Sequence, residues 1–142
     1  MSRFRLSQRS LRRMEGVEPD LVNLVRLAIE RTPVDFGVAW MGGMRTPEEQ
    51  NQLFKDGYST KDGYEKLSKH QFGEAVDLQV FVGGSAVQSE KMQYIVAGVM
   101  FSCAAELGIT LRWGGDWNMN SDIRDNVFND LYHFELVRRN TR

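Results

Sequence analysis

The chain of 142 residues contains two histidines, and each lies in a short segment that also carries carboxylates. His70 and Asp77 fall within residues 68–78, and His133 falls within residues 130–136. Imidazole nitrogen and carboxylate oxygen are good zinc ligands, and a catalytic zinc needs three protein ligands and one open position. A fold that uses this set must bring two segments that are distant in sequence to one point. The alternative is two ordinary histidines at surface or core positions.

Composition favours one folded domain over residues 1–142. The chain is 42% hydrophobic and 11% aromatic, which is enough for a core and argues against disorder. Its net charge of −1 gives no attraction to nucleic acid or anionic lipid, and we expect a monomer with neither as a partner. No apolar stretch is long enough to span a membrane. The single cysteine, Cys103, excludes an internal disulfide and reads as a buried thiol.

The spacing of hydrophobic residues and the positions of glycine and proline predict an α+β fold in which a small antiparallel sheet packs against helices. Helices are predicted over residues 7–15, from Pro19 to Pro33, from Thr46 to Gly57, and over 89–107. Strands are predicted over residues 34–41, 74–82, 109–113 and 132–138. The side chains expected to face the core from the second pair of helices are Leu53, Phe54, Met92, Ile95, Val96, Val99, Cys103 and Leu107.

Strand alternation fixes where the three candidate ligands can meet. Asp77 lies on one face of its strand, and His70 folds back beside it if the turn at Gly73 is tight. His133 must come from a strand that pairs with the strand of Asp77. The sequence therefore predicts a zinc site built on two neighbouring antiparallel strands.

A hydrolytic site also needs a base and a stabiliser of developing negative charge. Asp130 and Glu135 are the two candidate bases near His133, and we favour Asp130 because it stands at the loop–strand junction, where it can lean over the open metal position. Glu135 shares the strand face of His133 and would instead orient that ligand. Arg45, after Gly42-Gly43-Met44, could hold a substrate carboxylate or an oxyanion; the alternative is a surface salt bridge.

Four motifs, in order along the chain, resemble those of the M15 (VanY-type) zinc peptidases. They are Gly43-x-Arg45-Thr46, Ser68-x-His70-x-x-Gly73-x-Ala75-x-Asp77, the segment Trp113-Gly114-Gly115-Asp116-Trp117, and Asp130-x-x-His133. The resemblance covers residues 43–135, and the N-terminal helix is similar to that of single-domain phage endolysins in this family. It implies the hedgehog/DD-peptidase fold and no separate cell-wall-binding domain.

The same resemblance implies a zinc endopeptidase of phage origin that hydrolyses the peptidoglycan stem peptide, typically at the L-alanyl-D-glutamate bond. His70, Asp77 and His133 would hold the zinc, which activates water, and Asp130 would be the general base. A D-alanyl-D-alanine carboxypeptidase or dipeptidase is a close alternative. A non-catalytic zinc module that binds the cell wall is another, although the presence of Asp130 argues against it. A muramidase would leave both histidines unexplained.

Residues around the ligands are expected to orient them or to contact substrate. Ser68 belongs to the first ligand motif, and Glu135 lies beside the third ligand. Trp117 and Tyr132 flank the site and could stack on a sugar–peptide substrate. Trp113 could do the same or pack in the core.

Two positions depart from what the resemblance leads one to expect. Leu131 and Tyr132 stand where related endolysins often have small residues or proline, which affects how the backbone approaches the metal. Glu74 is a charged residue between the ligands, and we expect it to face solvent.

A second cation site is suggested by the alternation of oxygen side chains between the last two strands. The pattern is Asp116-x-Asn118-x-Asn120-x-Asp122, which is similar to the start of a calcium-binding EF-hand loop. Ser121 and Val127 stand where such a loop needs glycine and glutamate, which argues against a true EF-hand. The alternatives are a looser calcium site that orders the loop before the base, and a polar loop with Asx turns.

The N-terminus predicts where the protein is made. It carries arginines such as Arg3 and Arg5 but no apolar run after them, so we expect no secretory signal. With the resemblance, this implies synthesis in the host cytoplasm and action on the cell wall, in the periplasm, after release through a holin.

Overall fold

The computed structural model describes residues 3–138, so both ends of the predicted domain, residues 1–2 and 139–142, lie outside it. The helices in the described range are α1 (Gln8–Arg13), α2 (Pro19–Arg31), α3 (Pro47–Lys55) and α4 (Glu90–Leu107). The strands are β1 (Asp35–Val38), β2 (Ala75–Val82), β3 (Ser85–Ala86), β4 (Leu111–Gly114) and β5 (Asp130–Leu136). Short 3-10 helices span Lys69–Phe72 and Ile123–Asp125.

The strands form one antiparallel sheet in the order β1-β2-β5-β4, and β3 pairs with β2 as a hairpin. The hairpin turns at Gly83 and Gly84. Together with the four helices of the described range, this sheet confirms the α+β class. No helix within residues 3–138 combines the length and apolar character needed to cross a membrane.

The core lies between one face of the sheet and helices α2 and α4. Along β2, Val76, Leu78 and Val80 are fully buried on the helix side. Asp77 and Gln79 alternate with them and are only partly buried. The polar face of β2 is therefore left free to carry the candidate site.

The predicted inner face of α4 is only partly correct. Val96 and Cys103 are buried as expected, but Ile95 and Leu107 are 42% and 43% exposed. Gln93 and Met100 are buried in their place, because the sheet contacts a face rotated from the predicted one. The helix is apolar around most of its circumference, so its sequence does not mark one face strongly.

The start of α3 is confirmed and its inner face needs one correction. Thr46 and Glu49 form the predicted capping box. Leu53 is buried, but Phe54 is 43% exposed, and Gln50 is the fully buried neighbour. The buried position of Gln50 is tolerated because its amide nitrogen donates hydrogen bonds to the Ser59 hydroxyl and to a backbone carbonyl.

The first predicted strand is longer than the observed one. β1 ends at Val38, and Met41 has a φ of 59°, in the left-handed region that interrupts an extended chain. The turn that follows carries Gly42 and Gly43 underneath the candidate site.

The prediction that Glu74 faces solvent is wrong. Its side chain has no exposed surface, and its carboxylate lies 3.5 Å from Lys69 Nζ and 3.3 Å from Arg138 Nε. These two cations come from the 3-10 helix and from the segment that follows β5. Sequence spacing does not reveal that the two cations converge on Glu74.

We predict that Glu74→Ala lowers the free energy of unfolding by about 1–3 kcal/mol, because it removes a buried acceptor and separates two elements that flank the site. Glu106 supplies a matched control, since it pairs with Arg31 on the surface and both side chains are about half exposed. Glu106→Ala should change stability little. Urea denaturation of both variants measures the difference, and equal effects would contradict this account of Glu74.

Candidate metal centre

Pairing of β2 with β5 brings two of the predicted ligands together. Asp77 and His133 are directly opposite each other in the register of these strands. His70 reaches the same place from the 3-10 helix Lys69–Phe72, which precedes β2. The structure therefore brings the three predicted zinc ligands to one point on the polar face of the sheet.

Local capping explains how His70 is held. The Ser68 hydroxyl accepts a hydrogen bond from the His70 backbone N–H, and the Gln71 side chain bonds back to the Ser68 backbone. Gly73 ends the 3-10 helix with a φ of 69°, and a Cβ there would lie 2.4 Å from the Gly16 carbonyl oxygen. Only glycine fits this tight turn, which points His70 back toward β2.

The three side chains present their ligand atoms at spacings that suit zinc. His70 Nε2 lies 3.3 Å and His133 Nδ1 lies 3.2 Å from Asp77 Oδ1. Tetrahedral ligands at zinc distances of about 2.0–2.1 Å stand about 3.3 Å apart. In the described part of the chain, no other group of three His, Cys, Asp or Glu side chains brings ligand atoms within 4.8 Å of one another.

The remaining nitrogen of each imidazole is occupied by an acceptor. His70 Nδ1 lies 2.9 Å from the Gly43 carbonyl oxygen, and His133 Nε2 lies 2.8 Å from Glu135 Oε1. In the neutral tautomers that donate these bonds, the lone pairs of His70 Nε2 and His133 Nδ1 face Asp77. This donor set fits a divalent metal ion, because acceptors of this kind orient metal-binding histidines.

Arg45 completes the surroundings of Asp77. Its Nη2 donates to Asp77 Oδ2 at 3.1 Å, while Nε donates to the Met41 carbonyl and Nη1 to Gln50 Oε1. Arg45 is thus neither a surface salt bridge nor free to reach far into the cleft. It holds the carboxylate so that Oδ1 faces the histidines.

The charges of the three proposed ligands shift the pKa values of Asp77 and His133 strongly. Burial alone would raise the pKa of Asp77, but the adjacent His70 and His133 hold it far below its usual range. Burial lowers the pKa of His133, but hydrogen bonds to Asp77 and Glu135 outweigh burial and raise it to about 9. Without a metal, a proton on His133 therefore supplies the positive charge between Asp77 and Glu135.

The two candidate bases differ in their surroundings. Asp130 is the first residue of β5 and lines the cleft; burial and the nearby Asp77 raise its pKa. Burial would also raise the pKa of Glu135, but its bonds to His133 and Arg112 outweigh this and lower it. Glu135 is thus held as an ion by two partners, and Asp130 is the carboxylate with freedom to accept a proton.

Two of the three aromatic side chains line the cleft, and the third lies in the core. The ring of Trp117 lies 5.4 Å from the ring of His133, and its Nε1 donates to the Phe128 carbonyl. Tyr132 also lines the cleft. Trp113 is only 5% exposed and stacks on Phe134, so the core alternative is the correct one for this residue.

A cleft of about 1270 Å³ opens over the ligands and contains residues that the sequence analysis did not select. They include Trp40, Tyr58, Lys61, Arg112 and Phe128. Arg112 could have been found from strand pairing, because it lies opposite Glu135 in the register of β4 and β5. The others lie outside regular strands, where alternation gives no signal.

The predicted calcium segment folds largely as a series of Asx turns. Asn118 Oδ1 accepts from the Asn120 backbone, Asn120 Oδ1 from Asp122, and Asp122 Oδ1 from Arg124. Asp116 differs from these residues, because it is buried and its Oδ1 has no hydrogen-bond partner within residues 3–138. Its other oxygen accepts from the backbone N–H of Ser121 at 2.9 Å.

Comparison with known sequences identifies close similarity over nearly the whole chain. A family model described as phage L-alanyl-D-glutamate peptidase matches residues 1–137. The L-alanyl-D-glutamate peptidase of Escherichia phage T5 is 32% identical over 138 residues, which cover 94% of this chain and 98% of that protein.

Solved structures support the same relationship. The Serratia marcescens L-Ala D-Glu endopeptidase ChiX superposes with a TM-score of 0.75 at 29% identity, covering 94% of this chain and 90% of ChiX. The vancomycin-resistance D,D-dipeptidase VanXYg gives a TM-score of 0.52 at 20% identity, over 85% of this chain and 50% of that protein, and indicates the fold alone. The predicted hedgehog/DD-peptidase fold is thereby confirmed.

We predict that His133 titrates near pH 9 in the metal-free protein, above the ordinary value of 6.5. Its proton then stabilises the metal-free fold fully below pH 6.5, and this contribution is lost as the pH rises through 9. NMR titration of the imidazole measures the midpoint. Glu135→Gln should lower it, whereas Glu106→Gln should not. A midpoint near 6.5 in the unmodified protein would contradict the assigned hydrogen bonds.

Proposed function

The chain belongs to the phage L-alanyl-D-glutamate peptidase family, and we propose that it is a zinc peptidase that hydrolyses the L-alanyl-D-glutamate bond of the peptidoglycan stem peptide. One observation carries the proposal. His70, Asp77 and His133 direct three ligand atoms to one point at the floor of an open cleft. Action on the cell wall follows from this substrate, and a monomeric state and holin-dependent release stay predictions.

Each proposed ligand has a partner that prepares it for a metal ion. Gly43 and Glu135 accept from the distal histidine nitrogens, and Arg45 binds the second oxygen of Asp77. A bound zinc would polarise the substrate carbonyl and lower the pKa of water toward about 7. Ser68, Arg45 and Glu135 therefore act through the ligands they hold.

Asp130 is the proposed general base. It lines the cleft beside the ligands, and its raised pKa brings it closer to neutral pH than an ordinary aspartate. It would take a proton from the attacking water and later give that proton to the departing amine of D-glutamate. Trp117 and Tyr132 would form walls against which the substrate lies.

Cleavage products test the reaction. Mass spectrometry of peptidoglycan fragments should reveal new stem peptides that begin with D-glutamate after digestion by the zinc-loaded enzyme. Asp130→Asn should lower the rate about 10²- to 10⁴-fold while retaining zinc, because it removes the base but no ligand. Glu135→Gln should retain more activity if its part is to orient His133.

Other products would identify the alternatives. Release of terminal D-alanine would make the protein a carboxypeptidase or dipeptidase, and cleavage of the glycan would make it a muramidase. Absence of any cleavage by a zinc-loaded preparation would leave a cell-wall-binding module. An Asp130→Asn enzyme with full activity would remove Asp130 from the mechanism.

We also propose a calcium ion at the segment that joins β4 to β5. Oxygen ligands would come from Asp116, Asn118, Asn120 and Asp122. The buried Asp116 Oδ1 without a partner favours a cation over a purely structural loop. Asp125 adds a carboxylate that contacts Asn118 and Asn120.

Calcium should raise the thermal midpoint of the protein, and Asp116→Ala and Asp122→Ala should abolish the rise. Asp56→Ala is the control, because Asp56 is exposed on the last turn of α3 and outside the segment. Scanning calorimetry with calcium or magnesium measures the shift. If Asp122→Ala keeps both the calcium-dependent rise and full activity, the segment is a polar loop with Asx turns.

A further inference from the structure

The proposed substrate carries a negative charge next to the bond that is cleaved. A glutamyl residue within a peptide uses one carboxyl group for the next bond and keeps the other as a free carboxylate. The cleft that must receive it already contains Asp77, Asp130 and Glu135. Because like charges repel, a cationic side chain close to the ligands would favour binding of this carboxylate.

Arg112 occupies such a position on the edge strand β4. Its Nε and Nη2 lie 3.1 Å and 2.7 Å from Glu135 Oε2. Its guanidinium carbon also lies 5.6 Å from the ring centroid of Trp117. Glu135 and Trp117 each contact His133, which is a proposed metal ligand. The guanidinium of Arg112 is therefore held by two residues that touch that ligand directly.

The guanidinium retains donors for a second carboxylate. A guanidinium carries five N–H groups and can bind carboxylates along two of its edges. In residues 3–138, the hydrogen bonds of Arg112 to protein acceptors come from Nε and Nη2, and none comes from Nη1. The side chain is 38% exposed and lines the cleft, which leaves Nη1 as a donor for a further acceptor.

The other cations of the cleft are less suitable. Arg45 is only 12% exposed, and all three of its nitrogens bond to protein acceptors. Lys69 donates to the Leu136 carbonyl and lies beside the buried Glu74. Lys61 is exposed on the loop after α3, and within residues 3–138 no contact ties it to a metal ligand. Lys61 is therefore the rival to be tested.

We propose that Arg112 binds the free carboxylate of the D-glutamyl residue and makes the enzyme select an acidic residue on the amine side of the cleaved bond. This inference rests on the proposed function and adds the side chain that recognises the acidic residue of the substrate. Glu135 then has two partners with different tasks, since it orients His133 and fixes Arg112. Trp117 supports the guanidinium from one side.

Two synthetic stem peptides test the proposal. They differ only in the free D-glutamyl group, which is a carboxylate in one and a primary amide in the other. The zinc-loaded enzyme should prefer the acid by about tenfold to a hundredfold in kcat/KM, because one charge-assisted hydrogen-bond pair is lost with the amide. Arg112→Met should cleave the two peptides at similar rates, and Arg112→Lys should keep part of the preference.

The ratio of the two rates separates substrate recognition from structural damage. Misplacement of His133 or partial unfolding lowers both rates together and leaves their ratio unchanged. Lys61→Met tests the rival cation, and Arg26→Met is the control, because Arg26 is exposed on α2 outside the cleft. Both variants should keep the preference for the acid.

Three outcomes would overturn the proposal. Equal cleavage of acid and amide by the unmodified enzyme would remove the carboxylate from recognition while leaving the peptidase activity intact. A preference kept in Arg112→Met, or lost in Lys61→Met instead, would assign recognition to another residue. Cleavage of neither peptide by the zinc-loaded enzyme would overturn the proposed function itself, and this inference with it.

Discussion

The antiparallel register of β2 and β5 is the constraint on which the site depends. It places Asp77 opposite His133 and, on the other face, Val76 opposite Phe134, both fully buried. A slip by one residue would turn His133 into the core and Phe134 into the cleft, at the cost of burying polar groups and exposing apolar surface. Core packing therefore determines which face of the sheet carries the proposed metal ligands.

The polar face is organised as a row of alternating charges. Arg45, Asp77, His133, Glu135 and Arg112 follow one another, and each contacts the next. Isolated buried charges are costly, and a row of paired charges offsets much of that cost. His133 lies between the two carboxylates and lowers the pKa of both, and Arg112 adds to this effect at Glu135, so Asp77 stays ionised for a cation.

Residue chemistry and strand alternation predict that His70, Asp77 and His133 lie together, and the pairing of β2 with β5 and the 3-10 helix bring these side chains to one point. The capping box at Thr46 and the turn at Gly73 were likewise local signals. What sequence could not reveal depends on tertiary contacts. The burial of Glu74 depends on Lys69 and on the distant Arg138, and the position of Arg112 depends on which strand pairs with β5.

The position of Asp130 depends on the connection between β4 and β5 as much as on the sheet. The chain leaves β4 at Gly114 and returns at Asp130, and a Cβ on Gly114 would lie 2.0 Å from the Asp130 carbonyl oxygen. The register between the strands is irregular at this point. Asn126 ties the connection by donating to the carbonyls of Gly114 and Phe128 and accepting from Trp117. Asp77 and His133 are thus set by regular strand pairing and His70 by the 3-10 helix, whereas the proposed base is set by the loop between β4 and β5. A change in the order of that loop would therefore alter catalysis before it altered metal binding.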